Sequence, residues 1–168
     1  PQYGRSSIEQ FCHIKTSLEK YGFTVKVIYL IRDPIERLWS NIRMEKNLYS
    51  SINSQLSDSE AVKLYFKDRH WEYDSKYNLV IEKLRGAFKK ENIYIGVYEE
   101  MFNKDKVKKL SDFIGIDYDP MMIEKKINTS KKIEELNTEV IKEVREFYNE
   151  TYDFCYQNFP QTKHLWNK

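Results

Sequence analysis

Residues 25–40 read VKVIYLIRDPIERLWS, in which an apolar run ends at an arginine and a helix start follows directly. The run Val25–Ile31 is dominated by Val, Ile, Leu and Tyr, which predicts a strand buried on both faces, as in the interior of a parallel sheet. After the run, Asp33 suits a helix N-cap and Pro34 the first helical position. We therefore predict that a strand passes into a helix at Arg32.

Arg32 is the first candidate binding residue because of this position. It would lie at the carboxyl edge of the sheet, where α/β folds bind ligands and where the start of a helix favours an anion. Its guanidinium could hold a phosphate through two parallel hydrogen bonds. The alternative is a structural arginine paired with Asp33 or Glu36. The position at a strand end favours the phosphate site, and Arg37, on the same helix face as Ser40, could assist.

Composition limits the class of protein. The chain has 168 residues, of which 40% are hydrophobic and 15% aromatic, and this predicts one domain with its own core. The formal net charge is only +2 and the lysines are interleaved with acids, which argues against nucleic acid as a partner. No apolar stretch approaches the ~20 residues that cross a bilayer, and no signal peptide is visible, so we expect a cytoplasmic location. Cys12 and Cys155 are isolated, which predicts two reduced thiols and no zinc site.

Further elements follow from capping and periodicity. Capping-box spacing at Ser6–Glu9 predicts the start of a helix that Gly22 ends, and a second box at Ser57–Glu60 follows a polar loop at 47–59. The remaining predicted elements are a helix from Ser75, a strand Ile93–Val97, a helix Lys106–Ile114, a helix capped by Asp119 and one long helix from Thr138 to about Phe159. Two strands separated by helices favour an α/β fold with a parallel sheet. We expect a single domain over residues 1–168.

At Arg32 and Ser40 the chain resembles the sulfotransferases that use 3′-phosphoadenosine 5′-phosphosulfate (PAPS). In that family a strand ends in the pattern R-[DN]-P-x-x-R-x-x-S, whose arginine and serine hold the 3′-phosphate of the nucleotide. Asp74–Tyr77 is similar to the family's [ST]-x-Tyr, whose tyrosine lies against the adenine. Ile93–Met101 is similar to its strand with Tyr-Glu-[DE]-[LM], and Leu110–Ile116 to its L-x-x-F-[LI]-G-[LI].

A further segment, Ile127–Ser130, resembles the place where a Thr or Ser of the family approaches the adenine, and relatives often carry basic residues just after it. The resemblance therefore implies a nucleotide site made of Arg32, Ser40, Tyr77, Thr129 and Lys132. Taken alone, Ser40 would be a helix-surface serine and Tyr77 a core tyrosine. The resemblance also implies a P-loop-like parallel sheet flanked by helices, PAPS as co-substrate, its bisphosphate PAP as product, and no metal.

One part of the family pattern is missing from these residues. The glycine- and lysine-bearing loop that wraps the 5′-phosphosulfate has no counterpart, and Pro1–Tyr3 resembles the Thr-Pro-x-Tyr that precedes the first motif in many bacterial members. We therefore expect the C-terminal part of a sulfotransferase domain, with that loop and the catalytic base elsewhere. His13, His70 and His164 do not lie in the family's Thr-His-[LF]-Pro setting, so no catalytic residue is assigned.

The implied reaction is transfer of a sulfuryl group from PAPS to a hydroxyl or amine of a small-molecule or carbohydrate acceptor. Two other functions stay open. A P-loop-type kinase should show Walker-type residues and acidic magnesium ligands, and a non-catalytic nucleotide-binding or interaction module needs neither. The motifs do not specify the acceptor, which we expect loops such as residues 47–71 to select.

Overall fold

The computed structural model of the chain describes residues 2–49, 52–123 and 134–167. Within them lie the strands β1 (Val27–Ile31) and β2 (Ile93–Val97) and the helices α1 (Ile8–Glu19), α2 (Pro34–Met44), α3 (Asp58–Tyr65), α4 (Arg69–Ser75), α5 (Tyr77–Ala87), α6 (Lys104–Ile114), α7 (Thr138–Phe147), α8 (Asn149–Asn158) and α9 (Gln161–Trp166). The two strands pair in parallel. The predicted mixture of helices with a parallel sheet is thus confirmed. Of the helices in the described ranges, none is both long and apolar enough to cross a membrane.

The chain divides into two compact units. The first unit comprises Pro1–Ile31 and Leu79–Thr129, and the second comprises Arg32–Asn78 and Ser130–Lys168.

The first unit is built on the two-stranded parallel sheet. Val27 lies opposite Ile93, and the register runs through to Ile31 opposite Val97. Its core is a cluster of apolar side chains from α1, from α5 and from the residue after α5, packed against the strands: Phe11, Val80, Leu84, Ala87 and Phe88. The prediction that the first strand is buried on both faces is wrong, because Ile28 remains 43% exposed. The core cluster covers the face that carries Val27 and Tyr29, whereas on the opposite face α6 contacts β2 through Phe113 and Tyr94, whose ring centroids lie 5.5 Å apart, and leaves Ile28 partly exposed.

Local signals set the ends of the helices in this unit. Helix α1 starts in a capping box formed by Ser7 and Gln10, one residue later than predicted. The Gln10 backbone N–H donates to Ser7 Oγ over 3.2 Å, and the Ser7 backbone N–H donates to Gln10 Oε1 over 2.8 Å. Gly22, with φ of 83°, makes the turn after α1. Gly115, with φ of 89°, ends α6 in the left-handed region that glycine tolerates best.

The second unit is organised around α2. Its buried residues Ile35, Leu38, Trp39 and Ile42 form the apolar face, and α2 packs against α3, α4 and α7. The Trp39 indole donates to Asp58 Oδ2 over 2.7 Å, which ties α2 to the start of α3. The predicted capping box of Ser57 and Glu60 is confirmed.

Two predicted stretches of this unit differ in the structure. The long C-terminal helix is divided into α7 and α8 at Tyr148, whose backbone leaves helical geometry with φ of −99° and ψ of 18°. Tyr148 is fully buried and its hydroxyl donates to the Phe66 carbonyl oxygen over 3.2 Å, a long-range bond that holds the break. His70 and Trp71, expected in a loop, belong to α4, and the buried side chain of Trp71 anchors this helix.

Candidate functional site

Arg32 lies directly between β1 and α2, as the sequence predicts. Its side chain is 22% exposed, and its Nη2 lies 3.3 Å from Glu36 Oε2, one helical turn along α2. Its backbone N–H donates to the Tyr77 hydroxyl oxygen over 3.4 Å. The ion pair with Glu36 corresponds to the alternative role that the sequence left open for Arg32. A partly exposed pair of this kind contributes little to stability, so a doubly charged phosphate can compete with Glu36 for the guanidinium.

Asp33 is the N-cap of α2, and this prediction is confirmed. Its Oδ1 accepts the Ile35 backbone N–H at 3.0 Å and the Tyr152 hydroxyl at 2.6 Å, and its Oδ2 lies 3.9 Å from Arg145 Nη2. Burial raises the pKa of the Asp33 carboxyl, against the opposing effect of the hydrogen bond from Tyr152. Burial and the neighbouring Asp33 charge likewise raise the pKa of Tyr152, so its hydroxyl stays protonated and remains a donor. The cap next to Arg32 is therefore fixed by a buried network.

The network extends to the C-terminal residues. The Arg145 guanidinium lies over the Tyr152 ring at 5.2 Å and donates to the Asn167 side-chain oxygen over 3.2 Å. It also donates to the carbonyl oxygen of Trp166, whose side chain is buried at the end of α9. Residues on α7, α8 and α9 thus converge on the start of α2. Sequence analysis missed Arg145 and Tyr152, because a capping role alone accounted for Asp33.

Ser40 lies half-buried on α2, four residues after Glu36. On a helix, residues three and four apart are neighbours, so Ser40 lies on the same face as Glu36 and next to Arg37 and Arg43. Arg32 contacts this face through Glu36. The structure therefore assembles around one helix face the arginine and the serine that the sequence singles out.

Tyr77 and the remaining predicted residues have different outcomes. Tyr77 is fully buried at the start of α5, and its hydroxyl meets the Arg32 backbone. It therefore holds the Arg32 backbone just before α2, and its contact with adenine stays a prediction. Thr129 and Lys132 lie outside the described residues.

Groups suited to acid–base or metal chemistry are scattered. His13 lies exposed on α1, His164 lies exposed on α9, and His70 belongs to α4. Burial raises the pKa of the Cys155 thiol to about 12, so this cysteine is a poor nucleophile. Glu100 pairs with Lys106 at 2.9 Å, in keeping with a structural role for that segment. The ranges that the structure describes contain no cluster of His, Cys, Asp and Glu able to hold a metal ion.

A model of the sulfotransferase domain matches residues 14–147, which is most of the chain. The matched range contains β1, the junction at Arg32, the whole of α2 with Ser40, and the start of α5 at Tyr77. No curated protein matches the chain.

Proposed function

Because this chain belongs to the sulfotransferase domain family, we propose that it transfers a sulfuryl group from PAPS to a hydroxyl or amine of a small-molecule or carbohydrate acceptor. The observation that carries the proposal is the placement of Arg32 between a parallel strand and a capped helix, with Ser40 on the helix face to which Arg32 pairs. A phosphate at that junction would meet a guanidinium, a hydroxyl and the start of a helix.

The chemical step follows from the nature of the donor. The acceptor oxygen or nitrogen forms a bond to sulfur, and the bond between sulfur and the bridging oxygen of the 5′-phosphate breaks, so that its electron pair stays on PAP. The acceptor proton passes to a base, which we assign to no described residue. As in phosphoryl transfer, alignment of the reacting groups and stabilisation of the leaving charge provide most of the acceleration.

The described residues would contribute to this reaction by positioning. The 3′-phosphate of PAPS does not react, but Arg32 and Ser40 would use it to fix the nucleotide, so that the sulfur meets the acceptor in line. Tyr77 holds the Arg32 backbone through its hydroxyl, and we propose that it also borders the adenine. We assign Thr129 to the adenine and Lys132 to the 3′-phosphate on the family resemblance alone.

We further propose that the two parallel strands belong to a P-loop-like sheet and that the chain forms a single sulfotransferase domain. The parallel pairing of β1 and β2, separated in sequence by α2 to α5, supports this proposal.

Calorimetric titration tests the nucleotide site. The protein should bind adenosine 3′,5′-bisphosphate more tightly than adenosine 5′-phosphate, because only the bisphosphate reaches Arg32. Arg32→Ala removes a charged hydrogen bond of roughly 1.5–3 kcal/mol, so the bisphosphate should bind about 10- to 100-fold more weakly while adenosine 5′-phosphate changes little. Arg69→Ala, at an exposed arginine of α4, is the matched control and should leave both affinities unchanged. Equal affinity for the two nucleotides would contradict the PAPS site, and tighter binding of ATP with magnesium would point to a kinase.

A further inference from the structure

Arg43, on α2, is a buried cation that finds few partners among the residues that the structure describes. It is only 7% exposed, and its Nε and Nη1 have no hydrogen-bond partner among the described residues. Its guanidinium lies over the Trp39 ring at 5.0 Å, which compensates only part of the lost hydration. Buried charges in proteins are normally paired, so an arginine in this state indicates a missing anion.

Asp58, the acidic residue that binds the Trp39 indole, does not supply that anion. Asp58 accepts the Trp39 indole N–H at 2.7 Å through Oδ2 and the Lys46 ammonium at 3.0 Å through Oδ1. Both of its oxygens are thus engaged by other donors, and its charge is matched by that of Lys46.

The position of Arg43 on the helix indicates which anion it meets. Arg43 follows Ser40 by three residues and Glu36 by seven, so the three share one face of α2. Side chains on a helix lean towards its N-terminus, and the stacking of Arg43 on Trp39 shows that lean. The guanidinium therefore extends back from its own turn towards the turn of Ser40, in the direction of Arg32.

Arg32 alone does not supply enough positive charge to neutralise a phosphate at the candidate site. A phosphate monoester carries about −1.5 to −2 charges near neutral pH, but the charge of Arg32 is already shared with Glu36 at 3.3 Å. Arg32 and Ser40 by themselves would leave the phosphate incompletely neutralised, and Arg43 would add its charge to that of Lys132, which the family resemblance assigns to the same phosphate.

We propose that Arg43 is a further binding residue for the 3′-phosphate and that it completes the site formed by Arg32 and Ser40. This inference rests on the proposed function. In the absence of nucleotide the guanidinium is buried at a cost to stability, and the incoming phosphate supplies the acceptors that it lacks.

The test combines affinity with stability of the nucleotide-free protein. In Arg43→Met, a side chain of similar length keeps the packing on Trp39 but removes the unpartnered charge. The variant should melt at the same temperature as the wild type or higher, yet bind adenosine 3′,5′-bisphosphate about tenfold or more weakly. Its affinity for adenosine 5′-phosphate should not change. Arg69→Met makes the same chemical change at an exposed position and should alter neither property.

The possible outcomes separate this inference from the function on which it rests. If the wild type prefers the bisphosphate and Arg43→Met keeps that preference in full, the role of Arg43 is refuted while the PAPS site stands. A lower melting temperature of Arg43→Met with unchanged affinity would make Arg43 a purely structural residue. If the wild type does not distinguish the two nucleotides, the proposed function itself fails. An equal loss of affinity for both nucleotides would also overturn the assignment, because it would place Arg43 away from the 3′-phosphate.

Discussion

Replacing Tyr152 by Phe removes one hydroxyl from the buried network that fixes the start of α2. That hydroxyl donates to Asp33 Oδ1 at 2.6 Å, and both residues are buried. The ring packing against Trp166, with centroids 6.0 Å apart, is retained in the variant. A buried hydrogen bond to a charged group contributes roughly 1.5–3 kcal/mol, so we expect the free energy of unfolding to fall by about 2 kcal/mol. For a chain of this size the melting temperature should fall by about 4–8 °C.

Urea unfolding followed by circular dichroism measures this loss. The dependence of the free energy of unfolding on urea should stay the same, because the variant exposes the same surface when it unfolds. Tyr156→Phe is the matched control: its hydroxyl donates to the Asn167 side chain at an exposed position, and we expect a change within about 0.5 kcal/mol. In a double-mutant cycle with Asp33→Asn, Tyr152→Phe should lose less than in the wild-type background. If Tyr152→Phe destabilises the protein no more than Tyr156→Phe does, the network does not fix the cap and our reasoning is refuted.

Three further predictions concern protonation, thiol reactivity and backbone geometry. Burial raises the pKa of Asp33 above 3.8 in the folded state, so the contribution of Asp33 to stability declines as the pH rises above 3.8 and through the folded pKa. The side chain of Asp33→Asn does not titrate, so the free energy of unfolding of this variant relative to wild type should increase over that range. Chemical unfolding at several pH values measures the difference. The thiol of Cys155 is buried with its pKa raised to about 12, so a maleimide at neutral pH should label Cys155 only after unfolding. Peptide mass spectrometry that finds rapid labelling of Cys155 in the native protein would contradict its burial. Gly115→Ala should destabilise the protein by about 1 kcal/mol because φ at Gly115 is 89°, whereas Gly86→Ala, within α5, should be neutral or stabilising. Thermal melts that rank the two variants in the opposite order would contradict the helix end at Gly115.

Much of the candidate site could be predicted from sequence because its signals are local. The strand, the cap at Asp33, the proline at the first helical position and the spacing from Arg32 to Ser40 all lie within a short stretch of chain. Backbone preference and capping act over a few residues, so the start of α2 and the end of α6 at Gly115 follow from the residues at those positions.

The rest depends on contacts between residues that are distant in sequence. The hydrogen bond from Tyr152 to Asp33 joins positions 119 residues apart, and no local pattern predicts such a pairing. The break between α7 and α8 likewise accompanies the bond of Tyr148 to Phe66, whereas the apolar periodicity continues through it. Arg43 was missed because its significance lies in its burial, which the sequence around it does not reveal.

Phosphorus NMR of adenosine 3′,5′-bisphosphate bound to the protein tests most directly the claim that Arg32 and Ser40 hold the 3′-phosphate. The 3′ and 5′ phosphorus atoms give separate resonances, and a phosphate monoester in solution loses its second proton near pH 6. We predict that binding shifts the 3′ resonance and lowers the pKa of the 3′-phosphate, since a nearby guanidinium favours the dianion, and that Arg32→Ala largely removes this effect. A 3′ resonance that keeps its solution pKa while the nucleotide is bound would contradict the account.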